Sequence, residues 1–287
     1  MTLNPNLLAR LGRRYLRRIA AQGRFPGTPI SEMPILFGNS FPKSGTHLLT
    51  QILSGFGQLG PVALSGLPPV LTFAGESGVL RPRSAIREDL KRLKPGDIGY
   101  GHLHAYPEVL ESLCQDGVAP FFIYRDPRDV VVSHVHYVTE LNPRHAHHDY
   151  YANQLSSFDE RLSVSIIGRP ELANPFPHIA DRFSPYLDWL DRPEVLSMRF
   201  EDLLNNKQKM LAKIFQHAQE RGFPHSGEKE EAVEKLAAAI EPERSPTFRS
   251  GKPGAWQRSF SNEHKALFKE LSGDLLIRLG YEKSQNW

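Results

Sequence analysis

The chain has 287 residues, of which 40% are hydrophobic, enough for one large α/β core or two modest domains. Its formal net charge is only +3, which argues against broad nucleic-acid binding, and its single cysteine excludes an internal disulfide. The longest apolar runs are far shorter than the roughly 20 residues of a membrane-spanning helix. The N-terminus also lacks a continuous hydrophobic signal segment with a cleavage site, so we expect a cytoplasmic protein.

The first 20 residues have the pattern of a basic amphipathic helix. The apolar positions are Leu7, Leu8, Leu11, Tyr15 and Ile19, and the basic ones are Arg10, Arg13, Arg14, Arg17 and Arg18. We favour a helix that packs on the protein with its arginines in solvent; peripheral contact with an anionic membrane is the alternative. We expect residues 1–32 to form an N-terminal extension and residues 33–287 to form a single domain.

Three strand-to-helix units follow along the chain. The predicted strands span residues 33–38, 119–124 and 195–200, and the helices after them contain residues 48–56, 130–138 and 201–219. Asp126 is suited to cap the second helix and Pro127 to its first turn. The alternation predicts an α/β fold in which helices cover both faces of a parallel β-sheet.

Segments rich in proline and glycine separate these units. Residues 58–84 and 140–178 are too long for simple connections, and we expect them to be loops that shape a substrate site or a lid. Residues 241–260 also have a loop-like composition, and a last helix is predicted around residues 267–279.

The first predicted strand turns into its helix through a loop between Gly38 and His47. The loop contains Lys43, hydroxyl residues and Gly45, and a helix N-terminus at this point favours an anion. Pro42 stands where the nucleoside-triphosphate loop motif requires glycine, which argues against an ATPase or kinase. A plain polar turn that caps the helix is the alternative interpretation.

A second segment places Arg125 at the end of a strand and Ser133 eight residues later, two turns into the next predicted helix. Together with the loop around Lys43, this pair resembles the phosphate sites of the sulfotransferase family that uses 3′-phosphoadenosine 5′-phosphosulfate (PAPS). The loop resembles the 5′-phosphosulfate site, and Arg125 with Ser133 resembles the 3′-phosphate site. Residues 248–256 are similar to the segment that closes over the 3′-phosphate, and residues 199–203 to the step beside the adenine.

The resemblance implies a P-loop-like sulfotransferase fold, PAPS as co-substrate and adenosine 3′,5′-bisphosphate as product. It assigns donor binding to Pro42, Lys43, Ser44, Gly45, Thr46, His47, Arg125, Ser133, Phe200, Arg249, Ser250 and Gly251. The chain departs from the family pattern at His47-Leu48, where many members have an aromatic residue. It also departs at Phe200, where a tyrosine is common, and at Ser250, where the family has lysine.

Two histidines are candidates for the general base, because a neutral imidazole suits proton removal from an acceptor hydroxyl. His102 matches the catalytic histidine of the family, and His104 is the second candidate. The resemblance further implies that Lys43 stabilises the departing phosphate. A group of histidines lies at His134, His136, His145, His147 and His148, but no compact set of cysteine or carboxylate ligands accompanies it, so we expect no metal.

We expect the acceptor to present a hydroxyl or amine on a small molecule or glycan, and not to be a nucleic acid; glycans, phenols and lipid-linked alcohols fit the long loops equally. The oligomeric state is not indicated by any motif. Two other functions remain open at this point: a P-loop phosphotransferase that uses ATP and magnesium, and a non-catalytic nucleotide-binding protein on the same fold.

Overall fold

The computed structural model describes residues 5–75, 78–173, 175–244 and 253–287. The strands in the described residues are β1 (Ile35–Ser40), β2 (Ala63–Leu64), β3 (Val70–Leu71), β4 (Asp97–His102), β5 (Val118–Tyr124) and β6 (Leu196–Arg199). They form one parallel sheet in the order β2–β4–β1–β5–β6, and β3 also pairs with β4.

Helices make up most of the remaining described structure. The α-helices are α1 (Pro5–Arg24), α2 (Thr46–Gly55), α3 (Arg83–Lys91), α4 (Pro107–Leu113), α5 (Pro127–His136), α6 (Phe158–Ile167), α7 (Ile179–Phe183), α8 (Phe200–Asn205), α9 (Lys207–Glu220), α10 (Lys229–Ala238), α11 (Trp256–Ser259), α12 (Asn262–Ser272) and α13 (Leu275–Arg278). Short 3₁₀ segments lie at Ile30–Glu32, Phe56–Gln58, Ser184–Trp189 and Pro242–Arg244, and π-helical segments lie at Tyr137–Leu141 and Tyr150–Gln154.

The core lies on both faces of the sheet. Successive strand side chains point to opposite faces, so Leu36 packs with α2, α9 and α10, whereas Phe37 packs with α3, α4, α5, α6 and α12. Both residues are fully buried. The predicted α/β fold with helices on both faces of a parallel sheet is confirmed.

The parallel register brings several strand ends to one edge of the sheet. Ser40 at the end of β1 pairs with Ile123 near the end of β5, and Asn39 pairs with Gly101 near the end of β4. The loops that follow these strands therefore meet at their carboxyl ends, where open α/β sheets place ligand sites.

One predicted loop contains a helix. α6 lies within residues 140–178, where the Ser157 hydroxyl accepts a hydrogen bond from the Glu160 backbone N–H at 3.1 Å. Leu162 and Ile166 are buried in the core. A serine three residues before a glutamate, followed by apolar residues at helical spacing, was a signal for this helix.

The N-terminal helix packs with arginines against the protein and apolar side chains in solvent, the reverse of the favoured interpretation. Arg14 is only 6% exposed and forms an ion pair with Asp97, which is fully buried at the start of β4. Arg18 Nη1 lies 3.0 Å from the same carboxylate. Tyr15 and Ile19 are instead exposed, because the buried carboxylate requires cationic partners on the docked side of the helix.

Removal of the Asp97 carboxylate should destabilise the fold. We expect Asp97→Ala to lower the free energy of unfolding by about 3 kcal/mol, because Arg14 then lies buried without its counter-ion. Urea denaturation monitored by circular dichroism measures this change in the free energy of unfolding. Glu88→Gln is the matched control, since Glu88 and its partner Lys91 are both exposed, and it should leave stability unchanged. A loss below about 1 kcal/mol in Asp97→Ala would contradict the assigned role of the ion pair.

Candidate active site

The loop between β1 and α2 has an unusual backbone. Lys43 adopts a φ of 69°, in the left-handed region that non-glycine residues rarely enter, and Gly45 follows with a φ of 96°. The Ser44 backbone N–H donates to the Phe41 carbonyl at 3.2 Å. Within the described part of the chain, Ser44 Oγ is buried with no hydrogen-bond partner, and no side chain caps the N-terminus of α2. Such a loop, with half-buried Pro42 at its start, is suited to bind an anion.

Phe200 joins this loop to the end of β5. A Cβ atom at Gly45 would lie 2.5 Å from the Phe200 ring, so only glycine fits there. Arg125 also contacts Phe200, because its guanidinium lies 5.0 Å from the centre of the same ring. The lysine loop and Arg125 are therefore separated by about one aromatic side chain.

His102 lies at the end of β4, next to the start of α2. Its Nδ1 is 2.9 Å from the Ser40 carbonyl oxygen and 3.0 Å from Ser40 Oγ, which in turn is 2.8 Å from Thr46 Oγ1. A carbonyl oxygen only accepts, so neutral His102 carries its proton on Nδ1 and its lone pair on Nε2. This tautomer is the one that a general base acting through Nε2 requires.

His104 has a different environment. It is 7% exposed, and its ring packs against the rings of Phe73, Tyr106 and Tyr186. Nδ1 lies 3.2 Å from Tyr106 Oη. Burial lowers the pKa of His104 to about 4, so the imidazole is neutral at physiological pH.

The buried His104 should make stability depend on pH. Its folded pKa is below the ordinary histidine value of 6.5, so protons favour the unfolded chain and stability is lost as the pH falls below that value. Between about pH 7 and about pH 5 we expect this histidine to account for roughly 2 kcal/mol of lost stability. Urea denaturation at a series of pH values should show a shallower decline for His104→Gln. An unchanged slope would contradict the assignment.

Arg125 and the C-terminal segment meet at Asp129. The Asp129 carboxylate lies 3.2 Å from Arg125 and accepts hydrogen bonds from the backbone N–H groups of Gly254 at 2.8 Å and Trp256 at 3.0 Å. Half-buried Ser133 is one helical turn further along α5, on the same side as Asp129. The predicted donor residues Arg249, Ser250 and Gly251 lie outside the described residues, a few positions before this anchored segment.

Tyr137 is a site residue that the sequence analysis did not identify. The Lys43 ammonium lies 3.7 Å from the centre of its ring, a cation–π contact that holds the lysine beside the end of α5. Tyr137 Oη accepts from Asn142 Nδ2 at 2.9 Å. Burial and the nearby Lys43 charge lower the pKa of His47. The spacing of Ser133 and Tyr137, four residues apart on a helix, was a weak signal for a shared face.

The histidine-rich region forms an aromatic cluster behind Tyr137. His134 stacks on Phe176 with the ring centres 4.9 Å apart and lies 3.0 Å through Nδ1 from Ser165 Oγ. Its burial lowers its pKa well below the ordinary value. Among the residues that the structure describes, no three potential ligands are grouped closely enough to hold a metal ion.

The family assignment comes from comparison with known proteins. A family model described as the sulfotransferase domain matches residues 36–280, which is most of the chain. The chain belongs to the sulfotransferase domain family. This is a family of enzymes, and the resemblance seen in the sequence motifs is confirmed.

Individual sulfotransferase relatives are distant. A flavonol sulfotransferase-like protein of Flaveria bidentis is 23% identical over 196 residues, and the match spans 61% of this chain and 60% of that relative's length. The crystal structure of mouse sulfotransferase SULT7A1 complexed with PAP superposes with a TM-score of 0.56 and 20% identity, covering 92% of each chain. Retinol dehydratase in complex with retinol and PAP gives a TM-score of 0.55 and 18% identity, covering 86% of this chain and 83% of that one. At these identities the solved structures share the fold.

The match to the sulfotransferase domain includes the candidate active site but not the N-terminal helix. It contains every candidate residue described above, from the lysine loop to Trp256. It does not include α1, which ends at Arg24. The N-terminal helix thus lies outside the residues that the family model matches.

Proposed function

We propose that this protein transfers a sulfuryl group from PAPS to a hydroxyl or amine of a small-molecule acceptor. The observation that carries the proposal is the placement of Lys43 and Arg125 after neighbouring strands, with Phe200 between them. PAPS differs from ordinary adenosine nucleotides by its 3′-phosphate, and two separate cationic pockets suit its two phosphate-bearing ends. The PAP bound in the solved structures of the fold supports this donor.

The residues present fit such a donor. The buried Ser44 hydroxyl and the open N-terminus of α2 offer hydrogen bonds to anionic oxygens. Arg125 can bind a phosphate bidentately. PAPS supplies a sulfuryl group that leaves its 5′-phosphate during transfer.

His102 serves in this proposal as the general base. Its Nε2 lone pair takes the acceptor proton as the acceptor oxygen or nitrogen bonds to sulfur, and the Nδ1–H donated to Ser40 fixes the ring. Lys43 balances the negative charge that develops on the phosphate oxygen when the S–O bond breaks. His104 is enclosed by aromatic rings, so we assign it a structural role beside the site.

The two acidic residues after β5 argue against an ATP-dependent phosphotransferase. The Asp126 carboxylate caps α5 and accepts from Arg128 Nε at 2.9 Å. Asp129 is bound to Arg125 and to the Gly254 N–H. Both carboxylates are thus occupied by cations and amides of the protein, and neither is presented to a magnesium ion.

The predicted acceptor loops border the candidate catalytic residues. Leu71, in the segment 58–84, pairs with His102 across β3 and β4. In the segment 140–178, the His145 ring lies 5.9 Å from that of Tyr137, which contacts Lys43. We infer that these segments shape the site for the hydroxyl or amine acceptor.

A transfer assay tests the proposal. The protein is incubated with PAPS carrying radiolabelled sulfate and a panel of phenols, sterols, sugars and lipid alcohols, in EDTA. We expect label on at least one acceptor class, formed at least about 10²-fold more slowly with His102→Ala. Phosphoryl transfer from ATP that requires magnesium, with no sulfuryl transfer, would contradict it. Binding of PAPS without turnover on any acceptor would favour the non-catalytic alternative.

A further inference from the structure

The N-terminal helix presents an apolar face to solvent. Leu11, Tyr15, Leu16 and Ile19 are 37%, 66%, 66% and 52% exposed, and they account for four of the large exposed hydrophobic side chains in the described residues. With about 100° between successive residues of a helix, these four positions fall within an arc of about 140°. The face spans more than two helical turns without an apolar partner among the described residues.

The other side of α1 is held against the protein by polar contacts. Arg18 Nη1 donates to the Pro95 carbonyl at 2.7 Å. Arg14 adds the buried ion pair with Asp97. These contacts fix the rotation of the helix about its axis, so the apolar face points away from the sheet.

The positive charge of α1 favours an anionic partner for this face. The helix contains six arginines and no acidic residue. Arg10, Arg13, Arg17 and Arg24 are exposed. The exposed charge of the helix is entirely positive, so a second copy would bring like charges near one another, which is unfavourable, whereas an anionic surface complements them. An apolar face on a helix whose polar surface carries arginines is the pattern of a helix that lies in a membrane interface.

We propose that α1 docks the protein on an anionic lipid bilayer. The side chains of Leu11, Tyr15, Leu16 and Ile19 enter the boundary between headgroups and acyl chains, and exposed arginines pair with lipid phosphates. The helix lies on the surface, since no described helix has both the length and the hydrophobicity to cross a bilayer. Because the substituted residues of α1 lie outside the candidate active site, we expect docking to be lost without loss of sulfuryl transfer.

Vesicle flotation tests this proposal with the full chain. Vesicles of phosphatidylcholine alone are compared with vesicles that also contain phosphatidylserine. We expect binding to the anionic vesicles only, at least tenfold weaker in Leu16→Ser/Ile19→Ser, and weakened by salt. Ile277→Ser is the matched control, because Ile277 is an exposed isoleucine on another helix. It should bind as well as the natural protein.

Two further measurements separate a loss of docking from a loss of folding and test the contribution of charge. Thermal unfolding shows whether the double variant retains the fold, and Arg13→Gln/Arg17→Gln weakens anionic binding through charge alone. Equal binding to both vesicle types, or undiminished binding by the double variant, would overturn the proposal. So would a dimer in light scattering that the double variant abolishes in the absence of vesicle binding, since the face would then cover a second copy.

Discussion

Alanine in place of His102 is expected to lower kcat by about 10²–10⁴, the usual contribution of a general base. The acceptor then has no side chain positioned to take its proton, while the anion-binding residues are untouched. Initial rates measured at saturating donor and acceptor check this, and donor affinity should be unchanged. Added imidazole should restore part of the rate, because a free base can enter the space that the ring leaves.

Two control variants make the His102 result specific. His225→Ala removes a half-buried histidine between α9 and α10, outside the lysine loop and both predicted acceptor segments, and should retain full activity. His104→Gln should retain activity in proportion to its folded fraction. If His104→Gln is folded but inactive while His102→Ala is active, the base has been assigned to the wrong histidine.

Loss of the Lys43 side chain is expected to lower kcat by about 10²–10³, because charge on the departing phosphate is no longer balanced. The backbone offers a matched pair of variants. Lys43 has a φ of 69°, where alanine is strained and glycine is not. If the ammonium is what matters, Lys43→Ala and Lys43→Gly should lose activity equally. Recovery of the rate in Lys43→Gly would instead show that backbone strain caused the loss.

The fold and the principal anion-binding loop were predictable because local patterns specify them. Apolar strands followed by capped helices require no long-range information, and the Asp126 cap appears where the sequence predicts it. The sulfotransferase motifs around Lys43 and Arg125 are short segments whose order along the chain is itself informative. Their assigned roles in donor binding remain predictions.

The parts that were not predicted depend on contacts between distant residues. The orientation of α1 is set by Asp97, which is 83 residues away from Arg14 and carries no helical pattern of its own. Tyr137 contacts Lys43 only because α5 returns beside the first loop. The contact between Asp129 and the Gly254 backbone joins residues 125 positions apart, so it is visible only in the folded chain.

The central claim is that the chain has two anion pockets that together select a 3′-phosphorylated adenosine nucleotide. Thermal unfolding with adenosine 3′,5′-bisphosphate, adenosine 5′-monophosphate or ATP, each with and without magnesium, tests it most directly. At about 100 times Kd the bisphosphate should stabilise the protein by about 2.7 kcal/mol and raise Tm by roughly 5 °C without magnesium. Arg125→Ala should lose most of this shift. An equal shift with the monophosphate, or a larger one with magnesium and ATP, would contradict the account.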